Sequence, residues 1–303
     1  MSLLDSAIVR LLPAVPKPVV RRLSSRYIAG PRLEDAVRVV QAANAAGKLA
    51  TIDVLGEEIS DEAAATAIVA AYEDVFTEIE RRRLESNVSV KATGLGLALG
   101  YDLCRANLER VVAHAASSGN FVRVDMEDAS TTDDTLALYR DLRSAGYDNL
   151  GVVLQASLRR TLDDVHALAD LRPSVRLCKG IYIESTAIQF RDYEQVRASF
   201  VQALDALLAA GAYVAIATHD EWLIERTLER VAELGRDAYE FQMLLGVRPE
   251  LGDRLVADGH RLRIYVPFGE HWYRYSLRRL QENPALAGAV ARDTLGRLLT
   301  RGV

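Results

Sequence analysis

The sequence predicts an α/β fold, a (β/α)8 TIM-like barrel with additional N-terminal helices. Apolar, β-branched runs alternate with longer helical patterns eight times, and parallel neighbouring strands need a crossover of this kind. Eight such units are the number that closes this type of barrel. The 303 residues contain no linker or low-complexity break, so we expect one barrel at 49–303 behind a helical segment at 1–48. A doubly wound open sheet is the structural alternative.

The N-terminal segment is apolar and basic, and prolines interrupt it. We favour a short helix packed on the barrel, and a membrane-surface or targeting helix is the alternative. A further helix is predicted over 33–46, followed by Gly47 as its C-terminal cap. The strands are predicted at 50–55, 88–92, 121–126, 151–155, 175–179, 213–218, 240–245 and 262–266. The helices between them are predicted at 61–85, 102–118, 132–145, 160–170, 193–210, 221–234 and 249–258, with one more from Trp272.

The predicted strands are apolar along their length but polar near their C-terminal ends. In a barrel these ends meet at one mouth, where active sites are built. One polar strand end is usually a capped loop, whereas a set from all eight strands predicts a site. The set is Asp53, Lys91, Asp125, Gln155, Lys179, His219, Gln242 and Tyr265.

Composition and motifs argue against several classes of protein. Lys and Arg total 37 against 42 Asp and Glu, and the net charge of −5 argues against a general nucleic-acid binder. Two cysteines cannot form a disulfide scaffold, which favours a cytoplasmic location. Five histidines without ligand spacing argue against a metal site. The glycine run at 94–100 fails the dinucleotide fingerprint because Leu99 stands where glycine or alanine is needed, so we interpret it as a tight turn.

The segment after the eighth strand has an unusual helix face. If residues from Trp272 onward are helical, then Tyr275, Arg278, Arg279 and Glu282 share one face. Two neighbouring guanidinium groups suit a bidentate anion, above all a carboxylate. A solvated charged face is the alternative interpretation.

Seven segments, in order along the chain, resemble the proline dehydrogenase family, flavin enzymes on a (β/α)8 barrel. They are VSVK at 88–91, VDMED at 124–128, GVVLQ at 151–155, RLCKGIY at 176–182, ATHD at 217–220, FQMLLG at 241–246 and the block at 265–283. The resemblance covers a proline dehydrogenase unit without a fused aldehyde dehydrogenase domain. Three positions depart from the family's usual residues: Ser157, Cys178 and Ile181. These departures bear on packing and on the choice between proline and related cyclic imino acids.

The resemblance implies FAD as cofactor and oxidation of L-proline to Δ1-pyrroline-5-carboxylate by hydride transfer to flavin N5. On the substrate side, it implies that Arg278 and Arg279 clamp the carboxylate with Lys91 as a third cation. Glu282 would orient an arginine, and Tyr275 would pack on the substrate ring. Tyr265 would support the pocket, and Asp125 would organise Lys91 or the arginine pair.

The resemblance also implies a set of cofactor-binding residues. Arg176 is expected near the reactive N5 edge, where a cation stabilises the reduced ring. Gln155 would contact the polar edge of the ring, and Thr218 and His219 would hold the ribityl or phosphate region. The remaining expected contacts are Met126, Lys179, Gly180, Ile181, Gln242 and Leu244. For the apolar members of this set, plain barrel core is the alternative.

The resemblance further implies a membrane quinone as electron acceptor and a separate pyrroline-5-carboxylate dehydrogenase as pathway partner. A peripheral contact with the inner face of the membrane is therefore an open alternative to a purely cytoplasmic protein. Two other functions stay open from the residues alone. One is a Schiff-base aldolase that uses Lys91 or Lys179 as nucleophile, and the other is a flavin-binding sensor without turnover.

Overall fold

A computed structural model of the chain describes residue 20, residues 26–56 and 59–273, and residue 276. Eight parallel strands form a closed barrel in chain order, and pairing of the last strand with the first completes it. This pairing confirms the predicted barrel and excludes the open sheet. The strands are β1 Leu49–Val54, β2 Ser86–Lys91, β3 Val122–Asp125, β4 Leu150–Gln155, β5 Ser174–Cys178, β6 Tyr213–Ala217, β7 Tyr239–Leu244 and β8 Leu262–Phe268.

Helices precede the barrel and follow each strand from β1 to β7. They are α1 Leu33–Ala45, α2 Glu62–Arg82, α3 Tyr101–Ser117, α4 Thr132–Ser144, α5 Thr161–Leu168, α6 Tyr193–Ala209, α7 Glu221–Val231 and α8 Pro249–Ala257. Short 3-10 helices lie at Thr93–Leu95, Ala129–Thr131 and Ala169–Leu171. The first of these forms the turn predicted at 94–100, where Gly96 has a φ of +105°.

The predicted elements agree with the structure except near their ends. Gly47 follows α1 with a φ of +72°, as its predicted capping position requires. The helix predicted over 160–170 ends early as α5, because the chain tightens into the 3-10 turn that begins at Ala169. Strand β8 runs two residues further than predicted and includes Pro267, since that residue still pairs in register with Asp53.

Apolar packing lies mainly between the strands and the surrounding helices. Side chains such as Val90, Val124, Val152 and Ile216 are fully buried in this layer. The inside of the barrel is instead strongly polar, whereas barrels of this class usually fill it with branched aliphatic residues. Its buried polar and charged side chains include Thr51, Asp53, Ser89, Arg123, Arg176, Glu240, Gln242 and Arg263.

The segment before α1 is attached to the far end of the chain. The Ala29 N–H donates to the Pro267 carbonyl oxygen at 2.9 Å, and the Gly269 N–H donates to the Gly30 carbonyl oxygen at 3.0 Å. Tyr27 and Ile28 form a small apolar cluster with Leu55. The segment before β1 and the segment at the end of β8 thus meet where these two strands pair to close the barrel.

The first 19 residues and residues 21–25 lie outside the described part, so the role of the N-terminal segment stays a prediction. Of the helix predicted from Trp272, residues 272, 273 and 276 are helical. Within the described ranges, each helix falls short of the length or apolarity that a membrane span requires.

Candidate active site

A cavity of about 1050 Å³ opens at the mouth formed by the C-terminal ends of the strands. Of the predicted site residues that the structure describes, all but Asp53 line this cavity. These residues are Lys91, Asp125, Met126, Gln155, Arg176, Lys179, Gly180, Ile181, Thr218, His219, Gln242, Leu244 and Tyr265. Four other predicted site residues, Tyr275, Arg278, Arg279 and Glu282, lie outside the described residues.

Arg176 on β5 lies at the floor of this cavity and is buried. Its guanidinium donates to Asp125 Oδ1 at 2.5 Å, to Ser89 Oγ at 2.9 Å and to Gln242 Oε1 at 2.5 Å. The ring of Tyr265 lies against it, with 5.3 Å between Cζ and the ring centroid. Because bonds from three other strands hold each of its nitrogens, the guanidinium charge has a fixed position and orientation.

Asp125 connects this arginine to a second charged pair. The Tyr265 hydroxyl donates to Asp125 Oδ2 at 2.7 Å, and Lys91 Nζ lies 4.0 Å from the same oxygen. A shorter ion pair, 2.7 Å, joins Lys91 Nζ to Oδ1 of Asp53, which is fully buried. We expected Asp125 to organise Lys91 or the arginine pair. The closer bonds of Asp125 go instead to Arg176 and Tyr265. Lys91 pairs more closely with Asp53, because the register of β1 and β2 brings Asp53 within its reach.

A charged cluster forms one rim of the cavity around Asp220, which lies between β6 and α7, immediately before the helix. Its carboxylate accepts from Tyr193 Oη at 2.6 Å, from Arg197 Nη2 at 2.7 Å and from Lys179 Nζ at 3.3 Å. Burial acts to raise the pKa of Asp220, but the bonds from Arg197 and Tyr193 and the charge of Lys179 outweigh it and lower the pKa. Arg197 also lies between the rings of Tyr193 and Trp222, 4.3 Å and 5.0 Å from their centroids.

The loop after β5 approaches β4 closely at Gly180. This residue has a φ of +97°, and a Cβ there would lie 2.9 Å from Gln155 Oε1 and closer still to Ser157 Oγ. Only glycine therefore allows the backbone this close to the cavity wall. The Gln155 amide is itself fixed, since its Nε2 donates to the Glu127 carbonyl oxygen at 2.7 Å.

The ends of β6 and β7 are tied together by His219. Its Nε2 accepts from the Leu244 N–H at 3.0 Å, and its carbonyl oxygen accepts from Arg248 Nη1 at 2.9 Å. Thr218 Oγ1 accepts from the Asp220 N–H at 3.1 Å. Among the apolar lining residues, Met126 also belongs to the main core, whereas Ile181 is largely exposed. This wall of the cavity is therefore built from strand ends and from the loops that directly follow them.

Several residues of the site had no role assigned from the sequence. Asp53 belonged to the set of polar strand ends, and Asp220 ends the ATHD segment, so both carried a signal. Tyr193 and Arg197 lie in the first turns of α6, where the sequence shows an ordinary amphipathic helix. Ser89 is one of several polar residues of β2, and only the barrel geometry brings it to Arg176.

The arrangement places two kinds of chemistry in one cavity. At the floor, the carboxylates of Asp53 and Asp125 balance the cations of Lys91 and Arg176, so these four charges sum to zero. At the rim, cationic and aromatic side chains surround one buried carboxylate. Guanidinium and ammonium groups beside aromatic rings suit an anionic, planar ligand. The floor suits a small polar substrate, and the rim suits a larger anionic group.

Comparisons with known proteins agree on one family. A family profile described as proline dehydrogenase matches residues 36–292. The chain is 38% identical over 272 residues to proline dehydrogenase 1 of Bacillus subtilis (strain 168), covering 89% of this chain and 90% of that protein. It is 37% identical over 282 residues to the proline dehydrogenase of Deinococcus radiodurans, covering 90% of each.

Solved structures share the fold. Proline utilization A (PutA) from Bdellovibrio bacteriovorus, inactivated by N-propargylglycine, matches with a TM-score of 0.82 and 23% identity over 91% of this chain. PutA from Bradyrhizobium japonicum, in its D779W mutant, matches with a TM-score of 0.76 and 22% identity over 91% of this chain. The chain spans about a third of the length of these PutA proteins, 36% and 33% respectively. At these identities the match supports the barrel fold alone.

Proposed function

The chain belongs to the proline dehydrogenase family, and from this premise we propose that it oxidises L-proline to Δ1-pyrroline-5-carboxylate with FAD as its bound cofactor. The observation that carries the proposal is the position of Arg176. Its guanidinium is fixed at the floor of a cavity that is much larger than one amino acid requires.

The residues present fit a flavin dinucleotide. The cavity of about 1050 Å³ lies at the upper end of the size range for cofactor sites. Gly180 allows the loop after β5 to pack against Gln155 and Ser157, where a Cβ would collide, so the loop backbone lies at the cavity wall. Gln155, Gln242 and Arg176 would hold the ring. The outer part would be held by Lys179, Gly180, Ile181, Thr218 and His219, with Met126 and Leu244 as apolar contacts. When bound, the flavin supplies at N5 the acceptor for the hydride that leaves proline.

The charges at the cavity floor determine how many further cations are needed to bind the substrate carboxylate. Since Asp53 and Asp125 already balance Lys91 and Arg176, the carboxylate of proline requires further cations. Arg278 and Arg279 are our candidates for these further cations. Lys91, which is paired with Asp53, would contact the carboxylate as the third cation. Tyr275 and Tyr265 would enclose the ring, and Glu282 would orient an arginine. These residues orient the carbon beside the ring nitrogen toward the cofactor and exclude water.

The Schiff-base aldolase is less consistent with the site geometry. A nucleophilic lysine must be neutral to attack a carbonyl group. Both candidate lysines instead form ion pairs with buried carboxylates, Lys91 with Asp53 at 2.7 Å and Lys179 with Asp220 at 3.3 Å. The flavin-binding sensor is distinguished from an enzyme by turnover alone.

One experiment tests the proposed reaction. We expect the purified protein to be yellow, with an absorption band at about 450 nm. Anaerobic L-proline should bleach this band and yield a product with a reactive imine or aldehyde that a carbonyl reagent traps. A colourless protein that cannot be loaded with FAD would contradict the cofactor assignment. A yellow protein that proline does not bleach would support the sensor.

We also propose that the electrons pass to a membrane quinone and that a separate pyrroline-5-carboxylate dehydrogenase consumes the product. The enzyme would then work in the cytoplasm and meet the inner face of the membrane. Turnover with a water-soluble quinone analogue should exceed turnover with oxygen. Equal rates with both acceptors would contradict the quinone proposal.

A further inference from the structure

A buried charge pair lies below the cavity floor and takes no part in the site described above. Arg263 on β8 donates from Nε to Glu240 Oε1 at 2.8 Å and from Nη2 to Glu240 Oε2 at 3.0 Å. Its Nη1 donates to the Ala50 carbonyl oxygen at 2.6 Å. Glu240 on β7 is 2% exposed and Arg263 is 9% exposed. Buried ion pairs are seldom better for stability than well-packed apolar residues, so stability alone is a weak reason for this pair.

The Gln242 amide joins this pair to Arg176. Its Nε2 donates to Glu240 Oε1 at 2.5 Å, and its Oε1 accepts from Arg176 Nε at 2.5 Å. A carboxylate offers only acceptors and a guanidinium offers only donors. Gln242 therefore satisfies both neighbours in one orientation, with its NH₂ group toward Glu240 and its oxygen toward Arg176.

Glu240 is held in its carboxylate form, which accepts the hydrogen bond from Gln242 Nε2. Burial alone would raise the pKa of the Glu240 carboxyl, but the charge and hydrogen bonds of Arg263 outweigh burial and lower it. Gln242 and Arg123 act in the same direction. Glu240 stays ionised, and Arg263 compensates its charge, so the pair adds no net charge below the cavity.

We propose that Glu240 and Arg263 are positioning residues that orient the Arg176 guanidinium toward the cavity through the Gln242 amide. The inference rests on the proposed function, in which Arg176 stabilises the reduced cofactor. Arg176 has two further anchors at its other nitrogens, Asp125 and Ser89. Without Glu240 as acceptor, the Gln242 amide is no longer held with its oxygen toward Arg176 Nε. The guanidinium can then turn about Asp125 and Ser89, and its orientation toward the cavity is less fixed.

The test replaces the pair with apolar residues of similar volume, as Glu240→Leu/Arg263→Met. This exchange keeps the net charge, because both charges of the pair are removed together. We expect the equilibrium constant for flavin reduction to fall about tenfold, which for a two-electron couple is about 30 mV. The exchange is then repeated in a Gln242→Leu background. If Glu240 acts through the amide, the exchange lowers the potential no further there.

The ion pair of Arg160 and Asp164 is a matched control outside the strands of the barrel. Arg160 immediately precedes α5, and Asp164 lies in its first turn. Arg160 also donates to both oxygens of a buried carboxylate, from Nε at 2.9 Å and 3.1 Å and from Nη2 at 3.0 Å. The Asp164→Leu/Arg160→Met exchange should leave the flavin potential unchanged. If it shifts the potential as much as the Glu240 and Arg263 exchange does, or if the latter has no effect, the inference is wrong.

Two further measurements keep the outcome decisive. Should the apolar exchange prevent folding, Glu240→Gln/Arg263→Met retains an acceptor without its charge, and we expect a smaller fall in potential. An unchanged potential in that variant would overturn the inference. Bleaching of the wild-type flavin by proline is measured in parallel, since its failure would refute the proposed function and not the positioning role alone.

Discussion

Replacement of Arg176 by methionine tests the site most directly. The substitution keeps an unbranched side chain but removes a guanidinium that bonds to Asp125, Ser89 and Gln242. Reduction makes the flavin ring more electron-rich, and a cation beside it stabilises that state. Arg176→Met should therefore lower the reduction potential of the bound flavin and slow its bleaching by proline.

The contacts of Arg176 set the expected size of the fall in reduction potential and of the loss of stability. A hydrogen bond to a charged group contributes about 1.5–3 kcal/mol, and about 1.4 kcal/mol corresponds to ~30 mV for a two-electron couple. Loss of one such bond to the reduced ring lowers the potential by about 30–65 mV. Stability also falls, since removing one partner of a buried pair costs about 3–5 kcal/mol. Asp125 keeps the Tyr265 hydroxyl at 2.7 Å and Lys91 at 4.0 Å.

The assay is an equilibrium titration of the flavin potential, with affinity for a carboxylate analogue of proline measured by spectral perturbation. Analogue binding should change little. Arg123→Met serves as a control because Arg123 is equally buried in the barrel but bonds to backbone oxygens of Val152 and Ser174. It should lower stability and leave the potential nearly unchanged. A normal potential with lost analogue binding in Arg176→Met would place Arg176 on the substrate and refute our orientation of the two ligands.

Three further predictions concern other parts of the chain. Arg278→Met or Arg279→Met should raise KM for proline about 10²-fold, as the loss of ~2–3 kcal/mol requires, with normal flavin content; an unchanged KM in both would contradict the clamp. Tyr275→Ser should weaken proline binding but improve the relative use of trans-4-hydroxyproline, and equal losses for both substrates would make Tyr275 a scaffold residue. Burial and the nearby charge of Arg236 lower the pKa of His260 below its ordinary value near 6.5, so the unfolded chain binds the proton more readily. Stability should thus fall as pH drops below about 6.5, and denaturant titrations at two pH values should show a smaller difference in His260→Gln.

Much of the fold could be predicted because each element has a local signal. Apolar runs mark the strands, amphipathic runs mark the helices, and glycines such as Gly47 mark the ends of helices. The position of the site followed from one geometric fact, that strand ends meet at one mouth. The helix ends were less certain because turns such as Ala169–Leu171 continue the helical pattern in a tighter form.

The partners within the site could not be predicted in the same way. Which carboxylate reaches Lys91 depends on the stagger between β1 and β2, and no local pattern reports that stagger. Asp53 and Asp125 are equally plausible in the sequence, and only the three-dimensional register favours Asp53. Arg197 is harder still, because its partner Asp220 lies on a different element and its own helix is unremarkable. Glu240 did carry a signal, as a charged residue within an apolar strand.

Closure of the barrel has a consequence for the order in which the protein is made. Arg263 bonds to the Ala50 carbonyl oxygen across 213 residues of sequence, and β1 gains its second neighbour only when β8 has been synthesised. Until then, the growing chain presents two unpaired sheet edges, which are sites for association between chains. The Ala29 N–H, two residues after Tyr27, likewise has no partner until Pro267, whose carbonyl oxygen accepts from it, has been synthesised. A ribosome-bound fragment that ends before β8 therefore lacks a closed barrel, and chaperone binding should persist until the last strand emerges.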